Sequence, residues 1–542
     1  MSDSDKDILS HLSQDAAQST NVHQKLPKYF LPVFLSVIIG TLIYIGVQLS
    51  ADLSHVPPLH LYSVILLGVA LFIALGFEFV NGFHDTANAV ATVIYTNALP
   101  APTAVMWAGF CNFLGVMVAS GAVAYSIIAL LPVEMIMNVG SGAGFAMVFA
   151  LLLAAIIWNL GTWFFGIPAS SSHTLIGSII GVGLMNQLLN AGSGTSGVDV
   201  DQIIKVGKAL LFSPLIGFFF AMVVFTLVKV IFKKQMELFQ PPVGNRPPPP
   251  LIRGILIFTC TGVSFAHGSN DGQKGMGLIM LILIGLVPLA YSLNKTLDEK
   301  HLQSFQSLSQ QTAVILHDKN PNVNISYEQA RKDVTTYIQT KELTATTVPA
   351  LASLTAHLGQ DMGGRNNLHG LDEQKTNQIR NDMYISMTAL KALEKKNALP
   401  EMTAEQEKVV KDYRKNMDSF LQYIPTWVKV AVALALGLGT MVGWKRIVVT
   451  VGERIGKNHM TYGQGMSTEL VAMTTIAAAD GFGMPVSTTH VLNSAVAGTM
   501  VANKSGLQAS TIKTILSAWV LTLPVTIALS GGLFWLFLQF VK

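Results

Sequence analysis

Four short stretches of this 542-residue chain carry the residue types that do chemistry. "NGFHDTAN" (81–88) holds His84, Asp85 and Asn88, and "HGSNDGQK" (267–274) holds Asn270, Asp271 and Lys274 at the same spacing. "GIPASSSHTLIGSIIG" (166–181) and "GMPVSTTHVLNSAVAG" (483–498) each run from a Gly-x-Pro through three hydroxyl residues to a histidine. Proline is tolerated in a first helical turn, and Ser or Thr caps a helix by accepting from its free backbone N–H groups. Each stretch therefore reads as the start of a helix. Such a start carries free donors and a partial positive charge, and holds anions. The hydroxyls of Ser170, Ser171, Ser172, Thr174, Ser487, Thr488 and Thr489 would be further donors. Two such ends facing each other suit a tetrahedral oxyanion such as phosphate. His173 and His490 could carry protons, since imidazole titrates near neutrality, or could orient a neighbour by hydrogen bonding.

Asp85 and Asp271 are the puzzle, because they repel an anion. One like-charge contact at 4 Å and an effective dielectric of 20 costs about 4 kcal/mol. Unless the aspartates are only polar contacts between helices, something positive must enter with the anion. That cation is a proton, a sodium ion, or a divalent metal already bound to the substrate.

These groups sit among elements made for lipid. The chain is 51% hydrophobic and only 12% charged, against roughly 25% charged in soluble domains. Runs long enough to span a bilayer, about 20 apolar residues, occur near 29–49, 59–80, 103–131, 144–165, 207–232, 253–290 (long and interrupted), 426–444, 466–480 and 511–540. Two shorter runs, 173–190 and 490–502, begin just after the hydroxyl clusters and read as re-entrant half-helices. The fold class expected is an all-α polytopic membrane protein with ten to twelve transmembrane helices and a soluble helical insert. An ionisable residue at membrane depth marks a functional path by default.

Six segments follow. Residues 1–28 form a polar N-terminal tail without the features of a signal peptide, so the first span is retained. Residues 29–232 are a membrane region with a first repeat. Residues 233–252 are a basic, Pro-rich linker, and 253–292 begin a second repeat. Residues 293–424 hold 16 basic and 16 acidic residues, nearly half the chain's charges in a quarter of its length, and are the insert. Residues 425–542 complete the second repeat. The linker and 444–459 belong in the cytoplasm by the positive-inside rule, and span counting leans toward a periplasmic insert. The near-neutral balance gives no basic tract for nucleic acid. Cys111 and Cys260 lie in apolar runs, as buried small hydrophobes do.

The repeat rests on spacing. From Asp85 to His173 is 88 residues and from Asp271 to His490 is 219. The excess of 131 is close to the length of the insert. Duplicated halves with matching broken segments are the signature of secondary transporters, whose sites lie where the repeats meet.

The motif pairs resemble those of the PiT family of inorganic phosphate transporters, over roughly 55–292 and 424–540. "FVNGFHDTANAVATVIYT" and "HGSNDGQKGMGLIM" look most like its bacterial low-affinity members. The resemblance implies two inverted repeats, residence in the bacterial inner membrane, and symport of phosphate driven by protons or sodium, in some members as a neutral metal–phosphate complex. It implies no enzyme activity and no cofactor. It assigns Asp85, Asn88, Asp271 and the hairpin residues to phosphate, and Asp85, Asn88, Asn270, Asp271 and Glu469 to cation coupling. The family usually reads Asn-Asp-x-x-Asn in both copies; here His84 and Lys274 replace two asparagines. The ammonium of Lys274 repels sodium and supplies a fixed charge, while His84 supplies a titrating one. Both favour protons. Partners expected are phosphate, the bilayer and a second copy as a homodimer. The alternatives are sodium coupling, another oxyanion such as sulfate, an intramembrane hydrolase built on Ser and His, and a receptor whose insert binds a partner.

Overall fold

Apolar runs placed in a medium without water must satisfy every backbone group internally, and these do so as helices. The computed structural model describes residues 27–54, 56–190, 198–242, 246–317 and 325–541, and contains no strand among them, only one isolated bridge between Gly456 and Leu507. The polar tail expected over 1–28 lies, except for its last two residues, outside the described residues.

In chain order the helices are α1 (Phe30–Leu53), α2 (Leu61–Asp85), α3 (Ala87–Tyr95), α4 (Ala101–Val118), α5 (Ala122–Ile128), α6 (Val133–Met137), α7 (Gly142–Phe164), α8 (Ser171–Leu189) and α9 (Val200–Ile231). They continue with α10 (Pro250–Leu286), α11 (Pro288–Tyr291), α12 (Glu299–His317), α13 (Tyr327–Thr340), α14 (Thr347–Met362), α15 (Glu373–Lys395) and α16 (Ala404–Leu421). The last five are α17 (Thr426–Thr440), α18 (Lys445–Val449), α19 (Tyr462–Gly481), α20 (Thr488–Ala502) and α21 (Ala509–Leu538). Side-chain caps set several starts: Ser141 for α7, Ser170 for α8, Asp199 for α9, Ser487 for α20, and a reciprocal Thr461–Gln464 capping box for α19.

Among the described residues, seven helical stretches are long and apolar enough to cross a bilayer: α1, the α2–α3 pair, α4, α7, α9, α10 and α21. That is fewer than the ten to twelve expected, for identifiable reasons. Helices α17 and α20 have 15 residues each, and α8 and α19 carry polar residues that lower their hydropathy. Helices α16 and α17 bend by 68° where the chain enters the membrane body, with Pro425 capping α17. The expected interruption in 253–290 is absent: α10 runs unbroken through Gly268, Asn270, Asp271 and Gly272, because these polar groups are buried against neighbouring helices rather than lipid.

The body has two ends. At one, Arg253 at the start of α10 donates to the Ala98 carbonyl after α3, Lys229 near the end of α9 reaches Asn503 after α20, and Arg446 reaches the Phe164 carbonyl at the end of α7. At the other, Asp52 near the end of α1 accepts from Tyr291 and Trp427, and Lys429 donates to the Ala119 carbonyl after α4. Helices α12–α16 pack around their own core of Phe305, Tyr337, Leu354, Met383, Tyr413 and Phe420 beyond this second end. They meet the body through an Arg380 contact to the Ile136 carbonyl (3.4 Å) and a Lys395–Asp201 ion pair (2.7 Å).

Partner swapping organises the centre. Helix α9 lies along α20 and α21 lies along α8, while α10 crosses α4 and α17 crosses α2. The α4–α10 crossing is made by glycines: a Cβ on Gly268 would come within 2.7 Å of the Asn112 Cα, and one on Gly115 within 2.8 Å of the Ser269 N. Gly268→Val should therefore cost about 1–3 kcal/mol or more through overpacking. Its thermal midpoint in detergent should fall well below that of Gly161→Ala, whose position has nothing within 4 Å. Equal midpoints would show that the crossing yields freely.

Candidate functional site

Helix α2 ends on Asp85, and α3 begins two residues later, past Thr86. Asp85 is buried, and its carboxylate is held from three elements. Ser171 Oγ, in the first turn of α8, donates to Oδ2 at 2.5 Å. Thr489 Oγ1, in the first turn of α20, donates to Oδ1 at 2.9 Å. His84 Nδ1 lies 2.8 Å from the same Oδ1, while its Nε2 lies 3.0 Å from Thr162 Oγ1. Thr162 donates its own hydroxyl proton to the Trp158 carbonyl, so both ring nitrogens face acceptors.

Asp271, from the unbroken α10, lies beside this group. Lys274 Nζ is 2.7 Å from Asp271 Oδ2 and donates to Ser171 Oγ at 3.1 Å. A continuous chain results: Asp271, Lys274, Ser171, Asp85. Lys274 is among the largest fully buried side chains in the molecule. Asn88 donates to the Asp85 carbonyl (2.8 Å) and to Thr489 Oγ1 (3.3 Å), and Asn270 donates to the Met484 carbonyl (3.1 Å) in the approach to α20. The sites Asn88 Oδ1, Asn270 Oδ1, Asp271 Oδ1 and Thr488 Oγ1 are buried without a hydrogen-bond partner. Buried polar atoms are seldom left so.

The two hairpin helices meet start to start. The imidazole rings of His173 and His490 lie with centroids 4.4 Å apart, and Trp519 stacks on His490 at 3.9 Å. Ser170 and Ser487 cap their helices by accepting from the His173 and His490 backbone N–H groups. Ser172 donates to the Val486 carbonyl at 2.6 Å, which ties the first hairpin to the second. Thr174 donates to the Ser170 carbonyl within its own helix. So the hydroxyls divide by role: Ser171 and Thr489 bond Asp85, Thr488 is buried without a partner, Ser170 and Ser487 hold caps, and Ser172 and Thr174 are engaged with backbone carbonyls.

Glu469 is elsewhere. It accepts from Thr92 on α3 and Thr259 on α10, and Thr259 precedes Asp271 by 12 residues, about 18 Å along a helix. Conversely, the structure adds His267 to the cluster. His267 Nε2 stands 3.3 Å from Asp271 Oδ2, and its Nδ1 stands 2.8 Å from Asn112 Oδ1. The ligand atoms of Asp85, His267 and Asp271 all lie within 4.8 Å of one another, a donor set that could hold a divalent cation. Glu78, an ionisable residue two turns before Asp85 on the same face of α2, presses its carboxyl against Gly275, next to Lys274. His267 stands inside the second motif stretch, but the repeat aligns it with Asn81, so comparing the halves does not single it out.

The phosphate transporter family model matches residues 81–530. The low-affinity inorganic phosphate transporter PitB of Escherichia coli K12 is 43% identical over 504 residues, covering 89% of this chain and 99% of the relative. PitA of the same strain is 41% identical over 503 residues with the same coverage. A solved structure, "The sodium-dependent phosphate transporter", aligns with a TM-score of 0.48 at 18% identity, covering 88% of this chain and 100% of that one.

The ion pair makes a prediction independent of function. Removing one partner of a buried pair leaves an uncompensated charge, at a cost of about 3–5 kcal/mol. Lys274→Met should lower thermal stability in detergent sharply, and Asp271→Asn added to it should restore most of the loss. Additive losses in the double variant would mean that the two side chains do not interact.

Proposed function

Because the chain belongs to the phosphate transporter family, we propose that it is a secondary transporter importing inorganic phosphate across the bacterial inner membrane in symport with protons. The observation that carries this reading is the convergence of both motif pairs on Asp85, whose two carboxylate oxygens occupy hydroxyls from both hairpin helices. Those hydroxyls, with the free N–H groups of the helix starts, are the donors that a phosphate would use. Asp85 thus stands where a substrate oxygen would stand, and phosphate must displace it.

Displacement is where coupling enters. An ionised Asp85 competes with phosphate for Ser171 and Thr489 and repels it; a protonated one no longer repels it and holds the hydroxyls less strongly. His84, in contact with Asp85 and Thr162, is placed to pass the proton. Lys274 supplies the fixed positive charge, and its position between Asp271 and Ser171 puts it at the phosphate-binding end of α8. A sodium ion placed here would meet that ammonium. The Asp85–His267–Asp271 donor set supports a second form of cargo, phosphate arriving as a neutral complex with a divalent metal. On this reading Asn88, Asn270 and Thr488 complete the site with their unpartnered atoms, Glu469 serves a separate step of cation passage, and His173 and His490 fix the hairpin starts against each other.

The architecture proposed with it is two inverted repeats, 29–232 and 253–292 with 425–542, joined by the linker 233–252 and interrupted by the insert 293–424. Support comes from direction. Helix α7 ends at the basic end of the body, whereas its counterpart α19 starts there; α9 ends there, whereas α21 starts there. Helices α8 and α20 start at the buried cluster, as re-entrant half-helices do.

Labelled phosphate uptake into proteoliposomes tests the coupling, with proton and sodium gradients imposed separately, each with and without magnesium. The expected result is uptake driven by the proton gradient and indifferent to sodium. The double variant His84→Asn, Lys274→Asn should lose proton-driven uptake by about tenfold or more, since an uncompensated like-charge contact is worth roughly 4 kcal/mol. Phosphate counterflow, which needs no gradient, reports whether the variant still folds and binds. Uptake that requires sodium, or proton dependence unchanged in the double variant, would overturn proton coupling.

A further inference from the structure

Helix α1 stands apart from the body: along it only Ile45 is buried. Between it and the rest lie two adjoining cavities of about 540 and 440 Å³, which share Pro27, Phe30, Phe34 and Met441. Together they form one slot. Its floor is the close crossing of α4 and α17, where Gly109 meets the Gly437 carbonyl, and its inner walls are Val37, Phe113 and Leu434. Its mouth differs in chemistry. Lys28, Lys445 and Arg446 line it, all exposed, with Trp163 and Trp444 beside them. Arg446 lies over the Trp163 and Phe164 rings at 5.1 and 4.9 Å, and Lys445 lies 5.8 Å from the Trp444 ring. Among the described residues, no carboxylate forms an ion pair with any of these three cations.

We propose that this slot is a binding site for an anionic phospholipid of the cytoplasmic leaflet, its phosphate on Lys28, Lys445 and Arg446 and an acyl chain along α1. Three features agree. The cations and tryptophans sit together at one end, as they do at a membrane–water interface. That end is the one bearing the basic linker, which the positive-inside rule assigns to the cytoplasm. The slot runs from Lys28 to Val37, nine residues or about 14 Å of helix, close to half the roughly 30 Å hydrocarbon core. One leaflet's chain fits that depth. Basic pockets between transmembrane helices on this side recognise anionic head groups by charge, at a gain per cation that compounds. The site is separate from the Asp85 cluster and does not rest on the transport reading.

Native mass spectrometry of the purified protein, titrated with phosphatidylglycerol or phosphatidylethanolamine of identical chains, is the test. The expected result is preferential retention of phosphatidylglycerol. The triple variant Lys28→Gln, Lys445→Gln, Arg446→Gln should lose roughly a hundredfold in affinity for it. Val37→Trp, which fills the slot and leaves the cations, should also weaken retention. Millimolar inorganic phosphate should not displace the lipid, which separates a lipid head group from a free phosphate. Equal retention of the two lipids, or unchanged phosphatidylglycerol binding in both variants, would overturn the proposal. So would a Phe34→Cys variant that crosslinks to a second copy, since the slot would then belong to a dimer contact.

Discussion

The structure depends on one carboxylate. Asp85 lies at the end of a transmembrane helix with no water to solvate it, so every interaction that makes its charge tolerable must come from protein. Ser171, Thr489 and His84 supply these contacts, and each arrives on a different element. Helices α8 and α20 must start where they do, because the hydroxyl of a first-turn residue reaches no further. Ser170 and Ser487 set those starts, and glycines let α4 and α10 approach closely enough to bring Asp271 and Lys274 alongside. The packing of α9 on α20 and of α21 on α8 goes with this, giving each helix that starts at the buried cluster a longer neighbour.

Lys274 decides how the second half differs from the first. The first copy carries Asn88 at the matching position, an amide that bridges Asp85 and Thr489. An ammonium in its place turns a polar bridge into a fixed charge, and it extends across the boundary between the halves to reach Ser171. The duplicated motifs therefore build one asymmetric site, with a hydrogen-bonding aspartate on one side and an ion-paired one on the other.

Much of this was legible in the residues. Pro-Ser-His signalled two helix starts, at Ser171 and Thr488, because capping chemistry is local. The helical nature of the apolar runs was legible for the same reason. What escaped was whatever a neighbouring helix decides. Nothing in "HGSNDGQK" says that α10 continues through it, since the partners that satisfy those polar groups lie on other elements: Asn112 on α4, Asp480 on α19, Ser171 on α8 and the Met484 carbonyl before α20. His267 escaped because its counterpart, Asn81, does not share its role. The seven hydroxyls looked alike along the chain, yet one step of helix, about 100° of turn, separates Ser171, bonded to Asp85, from Ser172, bonded to the Val486 carbonyl. Glu469 fits the motif logic but bonds Thr92 on α3 and Thr259, which lies well along α10 from Asp271.

The meeting of α8 and α20, start to start, has an electrostatic consequence. Each helix start carries about half a positive charge, and two of them held together by contacts such as Ser172 to Val486 repel each other. An anion between them cancels that repulsion. In the arrangement seen here Asp85 is that anion; under the proposed function, phosphate takes over the task. A state with neither group in place is then the least stable of the three, so under the proposed function the two anions trade places without leaving the helix starts bare: the carboxylate that phosphate displaces is the one that closes the gap once phosphate has gone.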